Sequence, residues 1–143
     1  MVEIYQQMLN GARAFFMGGK RCLNPVQIAH NQIEFLAAPG IVCFAFSIEL
    51  YLKLLNVLSG LPPPKGHDLE KLFSTLPEKT RKALIVKYGS GLEADLLAVS
   101  PAFVDWRYFY EKTYGLNISP QMLEKIADCC NQLALEIKPE LRV

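Results

Sequence analysis

The chain has 143 residues, 51% of them hydrophobic and 20% charged, which suits one domain around one core and excludes a disordered composition. Fifteen Lys and Arg against fourteen Asp and Glu leave a formal net charge of +1. No global field therefore draws the chain to phosphate backbones or anionic lipid, and any nucleic-acid contact has to be local.

The first ten residues, MVEIYQQMLN, carry an acid and two glutamines where a signal peptide would need a basic start and an apolar run. A cytoplasmic protein is the expectation. Tyr5, Met8, Ala12 and Phe15 recur at helical spacing, so a first helix is predicted over 2–17, with Gly18-Gly19 as its stop. Asn24-Pro25 reads as a cap and first-turn proline for a second helix, in which Val26, Ala29, Ile33 and Leu36 share a face and His30 lies inside. Ala38-Pro39-Gly40 is expected to interrupt it.

From Ile41 the sequence IVCFAFSIELYLKLLNVLSG is apolar on almost every side until Gly60 and the LPPP stretch. Glu49 and Lys53 make it a poor membrane span, so it reads as the buried central helix. Glu49, Lys53 and Asn56 stand at i, i+4 and i+7 and form one polar stripe. That stripe is either a solvent-facing line with an ion pair or the wall of an internal polar site.

Asp68 is placed to cap LEKLFSTL. Thr75 to Glu78 and Ser90 to Glu93 have the spacing of capping boxes. Ser100-Pro101 and Ser119-Pro120 look like two further helix starts, the last helix running to about Ile137. Without visible strand alternation, the fold class is all-α: an antiparallel up-and-down helical bundle of four main helices with short extra ones, in a single domain over 1–143.

Four cysteines, Cys22, Cys43, Cys129 and Cys130, lack C-x-x-C spacing and a nearby His pair, so free thiols and no metal are expected. Cys129 and Cys130 fit a helical core face. His67 stands between Gly66 and the Asp68 cap, where it can either fix how the chain enters its helix or meet an anion at the helix N-terminus. FVDWRYFYEK, residues 103–112, sets Arg107 among five aromatic residues with Glu111 one turn ahead. Arg107 can brace the core through Glu111 or Glu49, or hold a phosphate with Trp106, Tyr108 or Tyr110 as a stacking surface.

SIELYLKLLNVLSG, the Pro-rich turn, KGHDLEKLF and FVDWRYFYE, in this order, resemble the HEPN family, the higher eukaryotes and prokaryotes nucleotide-binding domains, over roughly residues 38–135. The resemblance implies a helical bundle that dimerises. It also implies ribonucleases of toxin-antitoxin, phage-defence or CRISPR-linked systems, or binding partners of nucleotidyltransferases. Nuclease members carry R-x4-6-H at the dimer interface. Arg107 matches the arginine and Glu49 an earlier polar position, but Lys112, Thr113 and Tyr114 stand where the histidine would fall.

The function expected is a catalytically degenerate HEPN-like module that binds RNA, a nucleotide or a partner protein. Arg107, Trp106, Tyr110, Lys53 and Lys65 are its candidate RNA- or nucleotide-binding residues. One alternative is a metal-independent ribonuclease in which His67 replaces the missing histidine beside Arg107 and Glu49. The other is a structural or neutralising partner subunit. A homodimer without cofactor or membrane association is expected in each case.

Overall fold

The computed structural model describes residues 2–34, 36–105 and 119–142. Among them are six helices, α1 (Val2–Cys22), α2 (Ala37–Leu58), α3 (Leu69–Ser74), α4 (Glu78–Tyr88), α5 (Leu92–Asp105) and α6 (Pro120–Ile137), and two strands, β1 (Val26–Ala29) and β2 (Gln32–Glu34). The all-α reading therefore holds for most of the described chain, with a small hairpin added.

Helix α2 lies at the centre and touches α1, α3, α5 and α6. Phe44, Ile48, Tyr51, Leu52, Leu54 and Leu55 are almost wholly buried along it. Leu9 and Ala12 of α1, Leu69, Leu72 and Phe73 of α3, and Leu123, Ile126, Cys130 and Leu133 of α6 complete the same core. Each large aliphatic or aromatic side chain buried there contributes about 1.5–3 kcal/mol. Helix α2 is long and apolar enough to cross a membrane, the one such helix among the described residues, but 61% of its most apolar window is buried inside the protein. Its hydrophobicity is used in packing.

Polar contacts fix how the helices meet. Ser47 Oγ donates to the Ala12 carbonyl at 2.7 Å, joining α2 to α1. Tyr51 donates to Asn131 Oδ1 at 3.0 Å, and Arg13 Nη1 reaches the same oxygen at 3.4 Å, so α1, α2 and α6 share one polar anchor. Gln6 exchanges two hydrogen bonds with the Arg142 backbone, at 2.9 and 2.8 Å, and ties the C-terminal segment to α1.

Several expectations from sequence need correction. Helix α1 continues through Gly18 and Gly19 to Cys22. These glycines serve close packing: a Cβ on Gly19 would stand 2.8 Å from the buried Phe44 ring, and one on Gly18 would stand 3.6 Å from Cys43 Sγ. Tertiary contact outweighs the low helix propensity of glycine here. Helix α2 begins at Ala37, so Ala38-Pro39-Gly40 belongs to it. Pro39 falls in the first turn, where a missing N–H costs nothing, and a Cβ on Gly40 would meet Leu23 and Cys22 at 3.1 and 3.2 Å.

The expected second helix is instead the antiparallel β1–β2 hairpin, with Val26 opposite Glu34 and Gln27 opposite Ile33. His30 and Asn31 form its turn, Asn31 at φ 66°, a left-handed conformation that asparagine tolerates. Val26, Ile28 and Ile33 are strand formers, and all three are exposed.

Two cap assignments also change. Thr75 ends α3 and does not start α4, whose N-cap is Pro77 without a side-chain bond. Ser100 lies inside α5, where its hydroxyl donates to the Leu96 carbonyl at 2.7 Å and accepts the Glu70 N–H at 2.8 Å. It therefore satisfies an orphan donor in the first turn of another helix. Asp68 and Ser119 cap α3 and α6 as expected, accepting from the N–H groups of Lys71 and Met122.

The glycine contacts predict opposite outcomes for two substitutions on one helix. Gly19→Ala should lower stability by about 1–3 kcal/mol through overpacking against Phe44. Gly11→Ala, whose Cβ would meet only Leu50 at 3.8 Å, should gain up to about 1 kcal/mol of helix propensity. Urea unfolding midpoints of the two variants test this, and equal effects would contradict it.

Burial also sets an alkaline limit. The Tyr51 hydroxyl is pushed well above its ordinary value by burial, and Tyr88 by burial and then by its 2.6 Å bond to Asp95. Cys43, Cys129 and Cys130 are raised, again first by burial. The unfolded chain loses these protons first, so stability is full below the ordinary thiol value of about 8.5 and falls as pH rises through it and through about 10. Unfolding midpoints should drop over that range, and Tyr51→Phe should show a shallower fall above about pH 10.

Candidate functional site

The polar stripe of α2 faces the segment that enters and forms α3. Glu49 and Asn56 are almost completely buried, at 2% and 1% exposure, so the solvent-facing reading of the stripe does not hold for them. A carboxylate in such surroundings needs partners, because its desolvation costs several kcal/mol. Glu49 has two among the described residues: Oε1 lies 2.7 Å from His67 Nδ1, and Oε2 lies 3.5 Å from Lys53 Nζ.

Local sequence explains how His67 reaches it. Gly60 and the prolines after it carry the chain off α2, and Gly66 at φ 100° turns it back, a conformation costly for a residue with a Cβ. Asp68 then opens α3 with its side chain on the Lys71 N–H at 3.2 Å. His67 is thereby held between a glycine turn and a helix cap, with its ring against α2.

Further along α2, Asn56 fastens the other end of α3. Its Nδ2 donates to the Leu52 carbonyl at 2.9 Å and lies 3.4 Å from the Leu72 carbonyl. Its Oδ1 accepts from Thr75 Oγ1 at 3.0 Å. Helix α3 is thus pinned to α2 by polar contacts at both ends, with Leu69, Leu72 and Phe73 packed between them.

The arrangement has definite chemical capacity. A carboxylate only accepts, so an ionised Glu49 takes its hydrogen bond from Nδ1–H of the ring. The His67 side chain is 58% exposed while that of Glu49 is 3% exposed. A buried acid therefore orients an imidazole that external groups can approach. Lys53, with its side chain 21% exposed, adds a cation on the same carboxylate.

The structure brings Glu49, Lys53 and His67 together. Lys65 is exposed in the preceding loop. Arg107, Trp106 and Tyr110, with Tyr108 and Glu111, lie outside the described residues, as does the segment 112–114. His30 is exposed in the hairpin turn, not inside a helix. Cys129 and Cys130 are buried core residues, and the four cysteines are free thiols. No group of three His, Cys, Asp or Glu side chains placed to hold a metal occurs among the described residues.

Sequence spacing could identify the Glu49–Lys53 pair but not the Glu49–His67 contact, which crosses 18 residues of chain. The separate signals were a carboxylate within an apolar helix and a histidine between a turn glycine and a cap. Comparison with protein-family models, curated proteins and solved structures gives no match.

Proposed function

We propose that this chain is a HEPN-like module, an antiparallel helical bundle over 1–143 that acts as a homodimer and binds RNA. The observation that carries the reading is the Glu49–His67 contact of 2.7 Å beside Lys53. It gathers an imidazole and an ammonium group at the surface end of a buried carboxylate. Lys53 and Lys65 would supply phosphate contacts, and Arg107 a bidentate one, with Trp106 and Tyr110 as stacking faces for unpaired bases. A cytoplasmic toxin-antitoxin or phage-defence setting fits the resemblance on which this reading rests.

The same contact favours a second reading, a metal-independent ribonuclease. In this reading His67, held by Glu49, would take the proton of a ribose 2′-hydroxyl. The 2′-oxygen would attack phosphorus, the bond to the 5′-oxygen would break with that oxygen taking a proton from solvent water, and a 2′,3′-cyclic phosphate would remain. Arg107 and Lys53 would balance the charge that develops on the phosphate oxygens. His67 would then stand in for the histidine missing at 112–114, where neither Lys112 nor Thr113 exchanges a proton readily.

Cleavage and filter-binding assays on structured and single-stranded RNAs, with wild type, His67→Ala, Glu49→Gln and Arg107→Ala, separate the readings. Binding without cleavage, weakened in Arg107→Ala, is expected for the module. Cleavage that His67→Ala lowers by about 100-fold or more, with binding kept, would establish the nuclease. Absence of both activities in folded wild-type protein would refute both.

A further inference from the structure

The seam between α1 and α2 carries a second chemical feature, independent of the RNA-binding reading. Gly18 and Cys22 stand one turn apart on α1, and Gly40 and Cys43 one turn apart on α2. A Cβ at Gly40 would lie 3.2 Å from Cys22 Cβ, and a Cβ at Gly18 would lie 3.6 Å from Cys43 Sγ. Each cysteine therefore packs against a glycine beside the other, where the two backbones approach closely.

These contacts set the two cysteines on facing sides of one narrow seam, and the Cys43 thiol is raised by burial first and by the neighbouring Cys22 after it. Both residues are half-buried, whereas Cys129 and Cys130 are buried in the core. No third metal-ligating side chain joins the pair among the described residues, so it lacks the ligand count of a closed zinc site. What two adjacent, partly accessible thiols can do by themselves is exchange with a disulfide.

We propose that Cys22 and Cys43 form a reversible oxidation site, closed to an intramolecular disulfide by exchange with a small soluble disulfide of the glutathione type. The thiolate of one cysteine attacks a sulfur of the small disulfide, forming a mixed disulfide and expelling a small thiolate. The second cysteine gives up its proton and attacks the protein-bound sulfur, which expels the second small thiolate. The two protons released by the cysteines end on the two small thiols. The protein pair is oxidised by two electrons, and the small disulfide is reduced by the same two.

Closure needs the sulfurs to come to about 2.05 Å, and the glycines let the two backbones approach closely enough for the cysteines to meet. The bond would fasten the end of α1 to the first turns of α2. It would enclose the whole β1–β2 hairpin, with exposed Val26, Ile28 and Ile33, in one covalent loop.

Incubation of the full chain with oxidised glutathione, followed by intact mass measurement and peptide mapping without reductant, tests the site. Wild type is expected to lose the mass of two hydrogens, yield a Cys22–Cys43 cross-linked peptide and melt at a higher temperature than the reduced protein. Cys22→Ser and Cys43→Ser should each instead gain one glutathione on the remaining thiol of the pair. A wild-type protein that stays reduced, retains a stable glutathione adduct at either position, or links other cysteines would overturn the proposal. The wild-type peptide map decides the matter even where a serine variant fails to fold.

Discussion

A carboxylate sits where the central helix is otherwise apolar, and the arrangement of the surrounding chain follows from the need to pair it. Glu49 is 2% exposed. Left alone, its charge would destabilise the fold by several kcal/mol. Lys53 one turn along α2 supplies one partner, but at 3.5 Å it addresses only one oxygen. The other oxygen is met by His67, so the loop after α2 must return to the helix it has just left. Gly66 makes that return sterically accessible, and Asp68 converts it at once into α3.

The second determinant is the close approach of α1 and α2. Gly11, Gly18 and Gly19 on one helix and Gly40 on the other meet Leu50, Cys43, Phe44 and the Leu23–Cys22 corner. Phe15 and Phe46 pack with ring centroids 4.5 Å apart on the same seam. Dense packing there holds the N-terminal half of α2, while polar bonds from Glu49 and Asn56 hold its later half against α3. The two kinds of attachment divide the helix between them. The proposed disulfide exchange lies in the first zone and the proposed RNA contacts in the second.

Features with local causes were legible in the sequence. Asp68 and Ser119-Pro120 cap the helices that follow them, and the apolar run from Ile41 announces α2. Features with competing local signals or distant contacts were not. Val26, Ala29, Ile33 and Leu36 satisfy a helical period, yet the β-branched residues at 26, 28 and 33 equally satisfy a strand, and the left-handed turn at Asn31 closes them into a hairpin. Gly18-Gly19 signals a helix end by propensity, but the ring of Phe44 requires it inside α1. Thr75 and Ser100 have capping chemistry in the wrong place for their own helices because they use it across elements, on Asn56 and Glu70. At the site, the i,i+4 spacing of Glu49 and Lys53 was readable, whereas no spacing rule joins Glu49 to His67.

The tautomer of His67 tests the central contact most directly. A long-range proton–nitrogen correlation spectrum of the folded chain, at a pH where the ring is neutral, reports which nitrogen carries the hydrogen. Pairing with Glu49 requires protonated Nδ1 and unprotonated Nε2. A ring protonated at Nε2, the form a carboxylate on Nδ1 would not support, would contradict the orienting role of the buried carboxylate.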